Sequence, residues 1–496
     1  MMMKKIAGVL RCVVFLLILA VTLSTINGVL RPKYDFFNAY WPTSTTYSQF
    51  YEMEENSIDV LFMGSSVTMN YFSPLQIYKD YGIRSFNLGG EQQSPFLSYY
   101  WLKEALRYQK PQVVVMDVRF CYPYHPEHAI NTSEGLTRKA IDPMRLSPVK
   151  LELVRTLCKL DGGHDEMSYY LTNLRYHDRW KTVEKSDFYR GEFMYSKMMG
   201  YTLGTDTHGE TYRTFESQDS AAAFDGLHAL SMEYLEKMAV LCREKDIELI
   251  LVSAVGNEMN DGIHNTFTAF AEKHGIVFYN FSEKQLHDAI GAKFPEESIL
   301  RHATPKGAVK ISRFMGRLLS EKHGVKSVQD SQWADNLPFY ENVLRLHELP
   351  FTDDLETYLS LLPENDCTIF MTVKDDAYTG MPEGAKQQLR RLGLYTEWNQ
   401  DMYRQPYMAI LSEGKAIEGA GGYQAHSGRF AGGRYDVKSI GYSDGNVASV
   451  MINGKECSVN QRGLNIVVYS HYQDRVVDSV NFDTQEGAPA RRMAAE

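Results

Sequence analysis

Short apolar runs alternate with amphipathic stretches over most of the first two thirds of the chain. Five runs have the length of buried strands, at residues 58–63, 83–88, 113–117, 247–252 and 276–279. Between them, apolar residues recur at helical spacing, as at Leu235, Met238 and Cys242. Strands that alternate with amphipathic helices predict an α/β fold, a parallel sheet with helices on both faces. Active sites in such sheets lie outside the carboxyl ends of the strands.

The pattern of residues 345–485 is different. Short β-rich runs at 368–373, 407–411, 447–452, 464–469 and 476–482 are separated by turn signals at 421–422, 432–433 and 453–454. The last of these signals is Asn-Gly between two apolar runs, which strongly indicates a hairpin. We predict a smaller β-rich domain here, either α+β or sandwich-like. A linker at 326–344 would precede it, and a polar, frayed tail would follow at 486–496.

The N-terminus has a third pattern. Lys4, Lys5 and Arg11 precede an uncharged run at 12–30, and its nineteen residues suffice to span a bilayer as a helix. A cleaved signal peptide is the alternative. The run is long for that purpose and no clear cleavage site follows, so an uncleaved signal anchor is favoured. We expect a cytoplasmic tip and transmembrane anchor at 1–30, a connector at 31–56, and an extracytoplasmic remainder on a single-pass cell-membrane protein.

Residues 122–225 interrupt the alternation of strands and helices. They are polar and aromatic, and their periodicity is weak. We predict an insertion over the edge of the sheet, within a domain that spans 57–325. Excursions of this length tend to be functional, as a lid would be, although helices with a poor pattern are the alternative.

Length, charge and cysteine spacing exclude several classes of function. A chain of 496 residues predicts more than one domain, and a net charge of −10 argues against nucleic-acid binding. None of the six cysteines forms a C-x-x-C pair, which argues against a zinc or thioredoxin-like site. We predict no metal and no cofactor. A Cys367–Cys457 disulfide stays open, and the 32 tyrosines suit either sugar-binding surfaces or cores.

Two small-residue motifs stand directly after predicted strands. The Gly-Ser-Ser motif at 64–66 would present the Ser66 hydroxyl at the carboxyl edge of the sheet, where a serine nucleophile needs a base beside it. The Asn-Leu-Gly-Gly motif at 87–90 would let the N–H groups of Gly89 and Gly90 approach a ligand, as an oxyanion hole requires. Each motif is also typical of an ordinary tight turn.

One histidine stands at a suitable place for the base. His302 comes just before a predicted helix start at Thr304-Pro305, an N-cap followed by proline at the first helical position. Its loop would lie on the same sheet edge as Ser66. A lone histidine is usually structural, and only the combination with the serine motif predicts a catalytic pair.

This combination resembles the SGNH/GDSL hydrolase superfamily over about 55–320. Ser66 is similar to the family nucleophile, the loop at 87–93 to its second block, and His302 followed by Gly307-Ala308 to its last block. The resemblance implies a flavodoxin-like three-layer sandwich. It is closest to the membrane-anchored branch that includes the D-alanyl transfer proteins of teichoic-acid modification and the acetyl transferases of exopolysaccharides. It therefore implies a serine esterase or O-acyltransferase acting on cell-surface glycans, with a membrane-bound O-acyltransferase as partner.

The chain departs from the family pattern in three places. Ile299 stands where the family usually has the aspartate that orients the histidine, so we consider Glu296 or Glu297 in that role. The third-block asparagine is not evident. Asp117 and Arg119 stand at the end of the corresponding strand, where they would orient the histidine or bind substrate, although loop capping is the alternative for Asp117.

The third departure is in the second block. Gln92 stands where a glycine is common, which makes it a further oxyanion candidate. Because of these departures, the alternative function is a catalytically degenerate scaffold that acts as a membrane-anchored glycan-binding or adhesion protein.

A second resemblance covers the C-terminal region. The runs at 373–377, 462–469 and 478–484 resemble the interleukin-like EMT inducer (ILEI, PANDER-like) domain. This resemblance implies a β-sandwich-like module that binds carbohydrate or adheres to a surface. Its candidate ligand contacts are Asp375, Asp376, Arg462 and Asn465. For Asp376 and Asn465 the alternative is that they hold turns.

Overall fold

The chain forms two compact units, Met1–Asn336 and Leu337–Glu496. The computed structural model describes residues 2–32, 42–121, 130, 134–183, 185–188, 197–204, 209, 214–224, 226–256, 259–485, 487 and 490–493.

The first unit contains the predicted parallel sheet. Its strands are β1 (Val60–Met63), β2 (Ser85–Asn87), β3 (Val113–Asp117), β4 (Glu248–Ser253) and β5 (Val277–Asn280). They are all parallel and run in the order β2-β1-β3-β4-β5, the order of flavodoxin-like doubly wound sheets. The five predicted strands and the α/β class are therefore confirmed.

Helices cover this sheet and extend beyond it. They are α1 (Met2–Leu30), α2 (Pro42–Phe50), α3 (Ser66–Tyr71), α4 (Pro74–Tyr81), α5 (Pro95–Ala105), α6 (Glu134–Ile141), α7 (Pro148–Leu160), α8 (Glu166–Tyr170), α9 (Asn173–Tyr176), α10 (Ala229–Glu244), α11 (Asp261–His274), α12 (Lys284–Ile290), α13 (Pro305–Glu321) and α14 (Ser331–Ala334). Helix α4 packs on α13 and α5 packs on α10. Right-handed crossovers place these two pairs on opposite faces of the sheet. All four residues of β1 are buried and apolar, as expected for a strand that is covered on both faces.

Two segments differ from the sequence expectation. The second half of the expected connector at 31–56 is helix α2, whose Tyr47 is fully buried and stacks on Trp101 with ring centroids 4.0 Å apart. It therefore belongs to the core. In the insertion, α7 packs on α5 and α6 on α2, so these helices rest on other helices rather than directly on an edge strand.

Helix α1 is the apolar N-terminal helix that the sequence predicts. Over Gly8–Leu30 it is long and apolar enough to cross a membrane, and most of this stretch is exposed, whereas Leu30 at its end is buried.

The second unit is antiparallel and β-rich, as expected. Its strands are β6 (Cys367–Lys374), β7 (Tyr407–Ser412), β8 (Lys415–Ala420), β9 (Tyr423–Phe430), β10 (Gly433–Ile440), β11 (Val447–Ile452), β12 (Lys455–Glu456), β13 (Gly463–Ser470), β14 (Arg475–Phe482) and β15 (Arg491–Arg492). A six-stranded sheet has the order β15-β14-β13-β6-β7-β8, and a four-stranded sheet has the order β12-β11-β10-β9. The helices are α15 (Leu337–Glu348), α16 (Leu355–Leu361) and α17 (Glu383–Arg391).

Strand β6 separates two cores. Ile369, Met371 and Val373 face the core formed with α15, α16 and α17, whereas Phe370 faces the core between the two sheets. This alternation is the period of two that a strand imposes on its side chains.

The boundary segments are more ordered than expected. In the expected linker at 326–344, Trp333 is fully buried and donates to the Ser85 carbonyl, so α14 packs on the first unit. In the expected frayed tail, Arg491 and Arg492 pair with β14, so that expectation is wrong there. Cys367 and Cys457 are both free thiols, so no disulfide joins them.

Candidate active site

The Gly-Ser-Ser motif forms the turn between β1 and α3. Gly64 has φ 142°, and a Cβ there would lie 2.5 Å from Thr68 Oγ1 and 2.7 Å from Asp117 Cβ, so only glycine fits. Ser65 caps α3 by accepting the Val67 N–H. Ser66 is the first residue of the helix, where the backbone N–H has no acceptor within the helix.

The histidine loop is fixed from both sides. After it, Thr304 caps α13 by accepting the Gly307 N–H, and its own hydroxyl donates to the Glu296 carbonyl over 2.6 Å. Before it, the Arg301 N–H donates to the Val255 carbonyl over 3.0 Å. Val255 lies just beyond β4, so the loop that carries His302 is held at the carboxyl edge of the sheet.

These two loops bring Ser66 and His302 together. Ser66 Oγ lies 2.9 Å from His302 Nε2, within the hydrogen-bond range expected of a serine and its base. Ser66 is half-buried and His302 is exposed, so solvent and substrate reach the pair. When Nε2 is unprotonated, this geometry lets the imidazole accept the hydroxyl proton as the oxygen attacks.

Asp117 contacts the other serine of the motif. Its Oδ2 accepts the Ser65 hydroxyl over 3.0 Å, and its Oδ1 accepts the Arg119 N–H over 3.0 Å. Burial raises the pKa of Asp117 to about 6, against the smaller opposing effect of these hydrogen bonds. Asp117 therefore caps the loop after β3 and holds the turn that presents Ser66.

The glycines of the second motif are already engaged as donors. The Gly89 N–H donates to Asn87 Oδ1 over 2.9 Å, and the Gly90 N–H donates to the Gly64 carbonyl over 3.0 Å. An oxyanion would have to share these donors or displace their acceptors. Gly89 and Gly90 stay oxyanion candidates, and the Ser66 N–H at the start of α3 is a further one. Gln92 adopts a left-handed conformation, with φ 52°, in the same loop.

Glu296 and Glu297, the two candidates for orienting His302, have different hydrogen-bond partners. The Glu297 carboxylate accepts the Lys293 N–H over 2.8 Å and lies 3.4 Å from Lys310 Nζ, so this acid is directed to other partners. Glu296 serves the loop through its backbone carbonyl, which accepts the Thr304 hydroxyl. Ile299, at the position where the SGNH/GDSL proteins that the sequence resembles usually have aspartate, is fully buried in the core.

A small, open cavity lies beside these loops. Asp117, Arg119 and Arg301 line it together with the backbone after β4, at 253–256. Arg119 is among the residues that the sequence predicts. Arg301 is not, and it has a left-handed φ of 41° directly before His302. The signal for Arg301 was its position beside the histidine, because neighbours of a catalytic side chain line the same space.

The candidates in the second unit are mostly engaged in structure. The buried Asp376 carboxylate accepts the N–H groups of Tyr378 and Thr379, and the buried Asn465 amide bonds to both backbone groups of Gln461. The structural alternative is therefore correct for Asp376 and Asn465.

Arg462 and Asp375 are each within an ion pair. Arg462 donates two hydrogen bonds to Asp483 Oδ2, over 3.1 and 2.9 Å, and the Asp483 side chain is almost fully buried. Asp375 Oδ1 lies 3.4 Å from Arg404 Nε, and the Arg404 side chain is partly exposed.

Comparison with known proteins adds no family to this picture. A scan against protein-family models finds no match, and a search of curated proteins finds none either. The case for a function therefore depends on the geometry of the site and on the motifs in the sequence.

Proposed function

We propose that the chain is an extracytoplasmic serine esterase or O-acyltransferase that acts on acyl groups of cell-surface glycans. The observation that carries this proposal is the 2.9 Å approach of Ser66 Oγ to His302 Nε2 at the carboxyl edge of a parallel sheet. The pair is open to solvent, so an acyl group can reach it.

The chemistry follows from the two side chains. Ser66 Oγ forms a bond to the acyl carbon while His302 Nε2 takes the hydroxyl proton, and the carbonyl electron pair moves onto the oxygen. The Ser66 N–H would donate to that oxyanion. Collapse breaks the ester bond, and His302 returns the proton to the departing alcohol oxygen. A water molecule or a glycan hydroxyl then attacks the acyl-enzyme by the same steps.

The cavity favours a substrate or intermediate with negative charge. Arg119 and Arg301 line it, Arg301 directly before His302 in the chain, and guanidinium groups bind carboxylates, phosphates and developing oxyanions well.

The cellular setting is proposed from the N-terminal helix and the family resemblance. Helix α1 would anchor the chain as a single-pass membrane protein with the catalytic unit outside, since the basic residues precede the apolar run. A membrane-bound O-acyltransferase would then donate the acyl groups. The second unit would act as a carbohydrate-binding-like module.

The alternative function is a degenerate scaffold that binds glycan without turnover. The buried Ile299 favours it, because a carboxylate at that position is what usually orients the histidine of this family.

A serine-directed fluorophosphonate tests the enzyme proposal on the full chain in detergent. We expect labelling of the wild type, none of Ser66→Ala, and a loss of roughly 10³-fold or more in the labelling rate of His302→Ala, because the base no longer takes the proton.

Ser360→Ala is the matched control. It removes a hydroxyl of helix α16 in the second unit that donates to the Thr357 carbonyl, so labelling should persist. Labelling that survives Ser66→Ala, or a folded wild type that is not labelled, would refute the proposal. The second result would favour glycan binding without catalysis.

A further inference from the structure

Exposed apolar side chains are concentrated in one part of the first unit. Outside α1, the described residues of this unit have seven large apolar side chains that are exposed, and all lie between Leu146 and Phe188 in the insertion. Trp180 is 67% exposed, Leu174 is 52% exposed and Leu171 is 50% exposed. A concentration of this kind marks a surface that meets a partner or a membrane.

The same segment is bonded to the end of α1. Asn173 Nδ2 donates to the Leu23 carbonyl over 3.4 Å, and the Thr172 hydroxyl donates to Asn27 Oδ1. Arg179 Nη1 donates to the Leu30 carbonyl over 2.7 Å. Helix α9 and the turn after it therefore run along the last two turns of α1.

The length of the apolar run fixes the depth of these contacts. The uncharged run at 12–30 rises about 28 Å as a helix, close to the ~30 Å of a hydrocarbon core, so a spanning α1 needs all of it. Leu23 then lies about 10 Å inside the outer boundary, since it is seven residues before Leu30. Asn173, which bonds to Leu23, must lie at a similar depth.

The apolar residues of the segment suit that depth, and its exposed charged side chains, Arg175 and Asp178, would have to reach the headgroup region. The Thr172 hydroxyl and Asn173 Nδ2 donate to α1, as donors within lipid must, whereas Asn173 Oδ1 is buried without a hydrogen-bond partner among the described residues. Leu171 and Leu174 flank them and present apolar surface. Trp180 and the exposed Lys181 follow, and both residue types favour the membrane–water interface.

We propose that α8, α9 and the turn through Trp180 form a lipid-embedded surface that docks the first unit into the outer leaflet beside α1. The occupant of this surface is lipid. A depth of about 10 Å is at the upper end of what interfacial helices reach. The proposal rests on the membrane anchoring of α1, and it is independent of the esterase chemistry.

Quenching of Trp180 by brominated phosphatidylcholine tests this proposal on the full chain in proteoliposomes. The difference in fluorescence between wild type and Trp180→Phe isolates this residue from the other tryptophans. We expect bromines near the headgroup end of the acyl chains to quench that difference about twofold or more, since Trp180 would lie at the interface. Within the Trp180→Phe background, Leu174→Trp should restore quenching.

Glu272→Trp in the same background is the matched control. Glu272 is an exposed residue of α11, the helix that packs on edge strand β5, and its tryptophan should not be quenched. Resistance to carbonate extraction shows separately that α1 spans the bilayer. An anchored protein without quenching at 174 and 180 would overturn the proposal and leave the surface for a protein partner. Extraction by carbonate would instead refute the anchor, and with it the docking.

Discussion

Polar residues at strand ends behave differently in the two units. In the first unit, Ser66 and His302 keep their reactive atoms directed at each other in a solvent-accessible place. In the second, Asp376 and Asn465 are buried, and their oxygens and amide groups are bonded to backbone. The difference arises because a turn leaves backbone N–H and C=O groups without partners, and short polar side chains nearby form hydrogen bonds with them. A polar side chain is available for catalysis only where neighbouring residues already provide the hydrogen bonds that the turn needs.

The adjacent serines of the first unit repeat this contrast within one motif. Ser65 uses its oxygen to cap α3 and its proton to bond Asp117, and it is almost fully buried. The turn is thereby satisfied, and the Ser66 hydroxyl is available to the histidine.

The largest expected effects come from removing one residue of each kind, the reactive His302 and the structural Asn465. His302→Ala should lower fluorophosphonate labelling by roughly 10³-fold or more while it changes the free energy of unfolding by less than about 0.5 kcal/mol, as an exposed side chain should. Asn465→Ala should do the reverse. It removes the amide that accepts the Gln461 N–H and donates to the Gln461 carbonyl, which costs about 1–2 kcal/mol because the carbonyl keeps the Asn481 amide as a donor, and labelling should persist. Denaturant unfolding and labelling rates measure both.

The contrast between the two units would be contradicted if either variant showed the effect expected of the other. A strongly destabilised His302→Ala protein would make the histidine structural. An Asn465→Ala protein of unchanged stability would mean that the buried amide is not what holds its turn.

Asp117 is an intermediate case between structural and reactive residues, since it is a structural carboxylate beside the reactive pair. Its pKa is raised from 3.8 to about 6, so the folded protein holds the proton more tightly than the unfolded chain. The free energy of unfolding must therefore fall as the pH rises through this window, by about 3 kcal/mol from this group. Asp117→Asn should remove that part of the pH dependence, as measured by unfolding between pH 4 and about 7.

The sign of the difference decides the outcome. If wild type gains stability relative to Asp117→Asn as the pH rises, the carboxylate is stabilised as an anion by its hydrogen bonds, and burial is not the dominant effect.

The parts of the fold that could be predicted are those with a strong local signal. Strands buried on both faces are continuous apolar runs, and helix starts such as Ser94-Pro95 and Thr304-Pro305 have their caps in the sequence. By contrast, β9 and β10 were not predicted. Strand β9 alternates exposed and half-buried positions and carries polar or small residues at most of them, so it offers little apolar period.

The site divides in the same way. Ser66 follows the end of a strand and His302 precedes a helix start, and both signals are visible in the sequence. Their position at the carboxyl edge of the sheet could therefore be predicted. The bond between Ser65 and Asp117 depends on which serine of the turn points inward. The use of the Gly89 N–H depends on the rotamer of Asn87, and neither has a sequence pattern. The contact of Arg301 with Val255 joins residues far apart in sequence through a single bridge, which no period marks.

The smallest expected effect is at Asp375, the candidate of the second unit that is least committed to structure. Its N–H donates to Asn446 Oδ1 and its φ is 61°, a conformation that aspartate and asparagine both tolerate. Its carboxylate has a partly exposed partner in Arg404, and such pairs contribute about 0–1 kcal/mol. Asp375→Asn should therefore change the free energy of unfolding by less than about 0.5 kcal/mol. If the second unit binds a glycan through the predicted residues, the same variant should weaken retention of the full chain on a glycan array. Unchanged retention together with unchanged stability would place any glycan site of this unit away from the strand ends, because the other candidates there are already bonded to the protein itself.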